Sequence, residues 1–197
     1  MSKLICYCFR YSAEDIPRDV CADFVGGRGF IAKYLYDEIP PGADPMGDAN
    51  KIVFAVGPLT ATRMPSSGRY AVGTRSPHTG AIIRSISGGQ WGALLKKAGY
   101  DALILEGRSP EWIYLSITED GVEFRDARPL LGLLTEDTEA AIQKDLGNPK
   151  ARSCVIGPAG ENLVSFACIQ TERRSAGRGG VGCAMGGKKL KGIAVHG

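Results

Sequence analysis

The six cysteines include no C-x-x-C pair, and there are only two histidines, His78 and His196, far apart in sequence. That excludes zinc and iron–sulfur sites of recognised spacing. No apolar run reaches the roughly eighteen residues that a membrane span needs, and the N-terminus has no hydrophobic signal core. A soluble, cytoplasmic protein is the expectation. Charge of one sign is also scarce, with a net of +3. The arginines lie among glycines rather than along a basic helix or between stacking aromatics, so nucleic acid is not the expected partner. The one close thiol pair is Cys6-Tyr7-Cys8. Strand alternation would put both side chains on one face, a metal site only if another segment supplied two more thiolates; buried free thiols are the commoner account. Cys154, Cys168 and Cys183 sit in apolar or small-residue runs and read as packing residues.

What the chain has instead is glycine, 27 of 197 residues, roughly twice the average share. The glycines cluster beside arginine in two segments. One is Ser66-Ser67-Gly68-Arg69-Tyr70, running on to Ser87-Gly88-Gly89, and the other is Arg173-Arg174-Ser175-Ala176-Gly177-Arg178-Gly179-Gly180. Glycine lets main-chain N–H groups approach an anion closely, and the planar guanidinium fork matches phosphate oxygens. Two such segments suggest a two-ended, phosphorylated ligand.

The segments belong to an internal repeat. Each half begins with an apolar run ending in Gly-Pro, at Gly57-Pro58 and Gly157-Pro158. Each then has a Gly-Gly pair, a small-residue lysine-bearing stretch and a last apolar run, with identical spacing from Gly92 to Gly107 and from Gly182 to Gly197. The pattern predicts one domain built from two related halves, about 50–107 and 150–197, each with a glycine-rich loop at a helix N-terminus where unpaired N–H groups favour anions. Two ordinary α/β connections with glycine caps are the plainer alternative.

Periodicity predicts strands over 52–56, 70–74, 81–86, 102–105, 153–156 and 163–169. It predicts helices over 12–24 with Ser12 as N-cap, 30–39 before Pro40-Pro41, 89–98, and 135–146 with Thr135 as N-cap and Gly147 beyond its end. Runs 112–118 and 122–126, joined by Glu119-Asp120-Gly121, predict a hairpin. Strands and helices do not alternate strictly, so the fold class expected is α+β, a duplicated two-half β-sandwich-like domain with flanking helices, not a Rossmann sheet. Gly177-x-Gly179-x-x-Gly182 matches a dinucleotide fingerprint, but no strand is expected to enter it directly and no acid follows at the required distance.

Longer motifs carry a family resemblance. Asn50-Lys51-Ile52 through Gly57-Pro58-Leu59-Thr60, Gly68-Arg69-Tyr70, Ser76-Pro77-His78-Thr79-Gly80, Ser87-Gly88-Gly89, Ala98-Gly99-Tyr100-Asp101, Ile156-Gly157-Pro158-Ala159-Gly160-Glu161-Asn162 and Ala176-Gly177-Arg178-Gly179-Gly180-Val181-Gly182 resemble the N-terminal domain of the tungsten-containing aldehyde:ferredoxin oxidoreductases. The resemblance runs from 16 to 197. It implies a base on which a tungsten, sometimes molybdenum, bis-pyranopterin cofactor lies, its two pterin phosphates joined by magnesium. On that resemblance Arg69, Gly88, Arg174, Ser175, Ala176, Gly177 and Arg178 contact the pterins or their phosphates, and the backbone carbonyls of Ile86 and Ser175 bind magnesium.

Members of that family are usually much longer, and the C-terminal part supplies the [4Fe–4S] cluster, the substrate pocket and the acid/base residues. The resemblance therefore implies that this chain contains no catalytic residue and needs C-terminal domains or a companion subunit, with ferredoxin as electron acceptor through them. Ile86 stands where members commonly have asparagine, and the short segment 1–11 stands in place of the family's first hairpin. Other readings are a non-catalytic module that binds a phosphorylated small molecule or serves cofactor assembly, and an interaction domain with a vestigial site. Three structural expectations follow. Arg69, Arg174 and Arg178 face one cavity; an apolar patch is left for a partner or for self-association; and Glu161 and Asp101, beside turn glycines, serve turns rather than catalysis.

Overall fold

The computed structural model describes residues 1–196. Its first half runs β1 (Ser2–Tyr7), β2 (Arg10–Asp15), α1 (Arg18–Phe24), α2 (Arg28–Glu38), β3 (Ile52–Val56), β4 (Tyr70–Arg75), β5 (Ile82–Ser87), α3 (Trp91–Lys97) and β6 (Ala102–Glu106). The second runs β7 (Ile113–Thr118), β8 (Gly121–Asp126), α4 (Thr135–Asp145), β9 (Arg152–Val155), α5 (Pro158–Glu161), β10 (Ile169–Thr171), β11 (Arg174–Ala176), α6 (Val181–Gly187) and β12 (Leu190–Val195). They form two six-stranded mixed sheets, β2-β1-β6-β3-β4-β5 and β11-β10-β9-β12-β7-β8. Position by position, the second order is the first reversed. In each sheet the opening hairpin pairs in parallel with the strand that closes the half, β1 with β6 and β7 with β12.

The central strands are apolar throughout because both of their faces are buried. Along β3, Ile52, Phe54 and Val56 point into the space between the sheets, while Val53 and Ala55 point outward under α2, whose Phe30, Ile31, Tyr34 and Leu35 cover them. In the other sheet Ile113, Leu115, Ile193 and Val195 point inward, and Tyr114, Val155 and Ala194 meet Ile142 of α4. α3 and α6 contribute to the inter-sheet core through Trp91, Leu95, Val181 and Met185. Trp91 packs on Phe54 and Tyr70 with ring centroids 5.4 and 4.8 Å away. Its indole N–H donates to the Ile193 carbonyl across the sandwich at 2.8 Å, as a buried indole must. Lys188, just past α6, donates to the carbonyls of Asn50 and Gly107, each at 2.6 Å. Burial lowers its ammonium pKa to about 8.

The correspondence of the sheets reaches further than 50–107 and 150–197, taking in both hairpins and the covering helices α2 and α4. Several expectations need correction. Residues 12–15, expected in a helix capped by Ser12, belong to β2 (Arg10–Asp15); the helix starts after Pro17, and the hairpin expected to be missing from 1–11 is present. Its two-residue turn is Cys8-Phe9, with φ of 38° and 65° and Tyr7 paired to Arg10. That is mirror-turn geometry without the glycine or asparagine that normally signals it. Cys6 is buried in the core, whereas Cys8 leaves the strand and bonds the Arg108 carbonyl at 3.2 Å. Residues 163–168 are turn, leaving β10 three residues long. Leu134, not Thr135, caps α4. A strand, β11, does enter the Gly177 motif, but it pairs antiparallel at a sheet edge and so is not part of a dinucleotide-binding unit.

Candidate functional site

The two arginine-glycine segments meet where the edge strands β5 and β11 lie against each other. The register Tyr70↔Ser87 sets Arg69 opposite Gly88 at the end of the β4–β5 pair. The stem of Arg174 lies on Gly88 so closely that a Cβ there would sit 3.2 Å from the arginine Cδ, tighter than an ordinary contact. Arg178 is held from the other half, its backbone N–H donating to Ser85 Oγ at 3.1 Å. Next to it, Ser76 Oγ donates to the Gly179 carbonyl at 2.7 Å while accepting from the N–H groups of His78 and Thr79. Gly180 starts α6 with φ 70°, and a Cβ there would lie 3.2 Å from the Ser165 carbonyl carbon and closer to its oxygen. Only glycine meets both conditions.

Arg69, Arg174 and Arg178 are exposed and join no ion pair among the described residues. Arg173 instead faces Glu136 at 3.5 Å. Arginines without carboxylate partners among the described residues, carried on segments that meet at one sheet junction, are the side chains that suit an anion. Ser175 and Gly177 are exposed there too, Ala176 is buried beneath, and Ser175 Oγ donates to Gln170 Oε1 at 2.8 Å. Ile86 and Ser175 stand on the two facing edge strands. Exposed apolar side chains lie nearby, Ile82 and Ile86 on β5 itself and Phe166 edge-on to His78 at 6.4 Å between centroids, and Leu163 is exposed beside α6.

Under the edge lies an acidic group that sequence reasoning missed. Glu172 accepts the Gln90 N–H, and its other oxygen faces Arg152 Nε at 3.3 Å. Its own N–H is shared by both oxygens of Glu139 at 3.2 and 3.3 Å. Burial pushes the Glu139 carboxyl up to about 6, against the opposing pull of that N–H. The amide of the first glycine loop thus already has an anion, supplied by the second half. No spacing rule could have found a contact between residues 82 apart in sequence. Asp101 pairs with Lys96 and accepts the Ser2 N–H, and Glu161 pairs with Lys191 and accepts the Gly132 N–H. Both acids are thereby tied into the scaffold. Among the described residues no cluster of three or more histidine, cysteine or acidic side chains could hold a metal, and no helix is long and apolar enough to cross a membrane.

The family model described as "Aldehyde ferredoxin oxidoreductase, N-terminal domain" matches residues 9–197. The chain belongs to this family. It is 49% identical over 185 residues to the tungsten-containing aldehyde ferredoxin oxidoreductase of Thermococcus kodakarensis, covering 93% of this chain and 31% of that protein. The corresponding Pyrococcus furiosus protein is 46% identical over the same length. A more distant relative, at 35%, is the WOR-like subunit of an aliphatic sulfonate oxidoreductase from Pyrococcus furiosus. Among solved structures, the active site complex BamBC of benzoyl coenzyme A reductase, in complex with 1,5-dienoyl-CoA, superposes with a TM-score of 0.97 at 39% identity, over 100% of this chain and 30% of that one. The chain therefore spans about a third of the length of the relatives it matches.

Proposed function

We propose that this chain is the cofactor-holding portion of a cytoplasmic tungsten, or molybdenum, bis-pyranopterin oxidoreductase that oxidises aldehydes to carboxylic acids and passes the electrons to ferredoxin. The observation that carries this reading is the meeting of the segments that bear Arg69, Arg174 and Arg178, which have no carboxylate partners among the described residues, beside a glycine whose Cβ position is already crowded. The donor set suits a ligand with phosphate at two ends: guanidinium groups for the oxygens, and the exposed Gly177 to let a flat ring come close to the backbone. Arg69, Gly88, Arg174, Ser175, Ala176, Gly177 and Arg178 would hold the pterins, and the carbonyls of Ile86 and Ser175 the magnesium between their phosphates. When bound, the cofactor supplies the two-electron redox chemistry. The chain's own groups orient it and neutralise its charge.

What supports a division of labour is that the chain spans only about 31% of the length of its aldehyde-oxidoreductase relative. The cluster, substrate pocket and proton acceptor belong to C-terminal domains or a companion subunit, which would also cover Ile82, Ile86, Leu163 and Phe166. The higher identity to the aldehyde enzymes than to the benzoyl coenzyme A reductase complex favours aldehyde over an aromatic thioester. The test is aldehyde-dependent reduction of a viologen dye under anaerobic conditions. The 197-residue chain alone is expected to give no rate above background, even with cofactor, and the assembly with the cluster-bearing portion to give turnover. Turnover by the chain alone would break the assignment, and turnover only with a thioester would change the substrate.

A further inference from the structure

The turn that carries Arg174 also carries the carboxylate that fixes the opposite loop. Thr171 pairs with Arg174, so Glu172 and Arg173 form a two-residue turn, both at positive φ, 46° and 62°, without glycine. Side chains rarely adopt that backbone, and such strain persists only where surrounding contacts enforce it. Here the contacts are visible. The Glu172 carboxylate, only 18% exposed, holds the Gln90 N–H and packs on Gly89, where a Cβ would lie 3.2 Å from the carboxyl carbon. Arg152 pairs with the carboxylate, and Glu139 accepts the Glu172 backbone N–H. Two residues on, the Arg174 stem rests on Gly88. In the other direction Ser85 and Ser76, from the first half, hold Arg178 and Gly179. Each half thus grips the other's loop.

We propose that Glu172 is a positioning residue, clasping the loop from Gly88 to Gln90 against Arg174 so that the two phosphate-binding ends keep one spacing. The proposal rests on the reading of this edge as a cradle for a two-ended phosphate ligand. It makes a prediction of unusual sign. An acidic side chain beside three arginines weakens anion binding by simple electrostatics, so removing it should tighten binding. If Glu172 positions the loop, removing it loosens binding instead.

The probe is inorganic pyrophosphate titrated calorimetrically into the 197-residue chain at low salt, alongside amide hydrogen exchange, for the native protein, Glu172→Ala and Glu172→Gln. Glu172→Ala is expected to speed exchange at the Gln90 amide and weaken pyrophosphate about tenfold, the effect of losing one charge-assisted hydrogen bond. Amides of β3 and β6 should stay protected. Glu172→Gln keeps an acceptor oxygen and should recover most of both losses. Unchanged Gln90 exchange in Glu172→Ala overturns the clasp, and tighter pyrophosphate binding in either variant overturns the positioning role. If the alanine variant does not fold, a Glu172→Gln chain that binds as the native one does while retaining Gln90 protection sustains the proposal; one with native binding and lost protection sinks it. Absence of pyrophosphate binding by the native chain sinks the phosphate cradle and the positioning role with it, while the exchange data still decide whether the clasp exists.

Discussion

Replacing Glu161 with leucine is expected to cost about 3–5 kcal/mol of folding stability, the usual penalty for stranding a buried charge. The side chain of Lys191, on β12, is 0% exposed and that of Glu161 only 12%. Besides Glu161, Lys191 Nζ has a single acceptor among the described residues, the Leu133 carbonyl at 3.2 Å. Glu161 also accepts the Gly132 N–H at 2.9 Å, so the variant frees a loop donor as well. Urea unfolding should show the loss as a lower midpoint with little change in slope. The double variant Glu161→Leu, Lys191→Met should recover much of it, because the desolvated charge goes with its partner. A single-variant loss below about 1 kcal/mol would match an exposed pair and contradict the burial of Lys191 and Glu161.

Gly186→Ala should be at least as damaging. Gly186 lies in α6, which crosses the short α5 at near-contact distance. A Cβ built on it falls 2.8 Å from the Gly160 carbonyl carbon, closer still to the oxygen, and 3.4 Å from Leu163 Cδ2. The crossing is tight on the other side as well: a Cβ on Gly160 would lie 3.0 Å from the Gly182 carbonyl oxygen. The obstacle is backbone, which cannot rotate away as a side chain can, and overpacking of this kind costs about 3 kcal/mol or more. α6 directly follows Gly180, so the shift would carry into Arg178 and Gly179. Thermal unfolding should fall by about 10 °C or more, or folded protein should be lost. An alanine variant melting within a degree or two of the native chain would show that α5 and α6 are not packed this closely.

The parts of this fold that were legible from sequence are those where local chemistry and tertiary demand agree. β3 is a plain apolar run because both of its faces are buried, and the hairpin of β7 and β8 is announced by Asp120-Gly121. The parts that were hidden depend on strain held in place by distant contacts. Cys8-Phe9 and Glu172-Arg173 turn the chain at positive φ with side chains that argue against it, and β10 and β11 are too short to show a period. The arginines of the site could be picked out because guanidinium beside glycine is unusual. The contacts that tie the loops around them together, Glu172 to the Gln90 N–H, Ser76 to the Gly179 carbonyl and Ser85 to the Arg178 N–H, span 82 to 103 positions of sequence and come from residues that look like ordinary polar residues in one dimension.

The central claim is that the edge where β5 meets β11 holds a phosphorylated pterin cofactor through Arg69, Arg174 and Arg178. Its most direct test is the tungsten, molybdenum and pterin content of protein purified anaerobically together with its cluster-bearing portion, compared with the double variant Arg174→Ala, Arg178→Ala. Removing two charge-assisted hydrogen-bonding groups from one ligand weakens it by about a hundredfold or more. The native assembly is expected to carry two pterins per metal atom, and the folded variant to carry little of either. A folded variant that retains native metal and pterin would place the cofactor elsewhere and contradict the account.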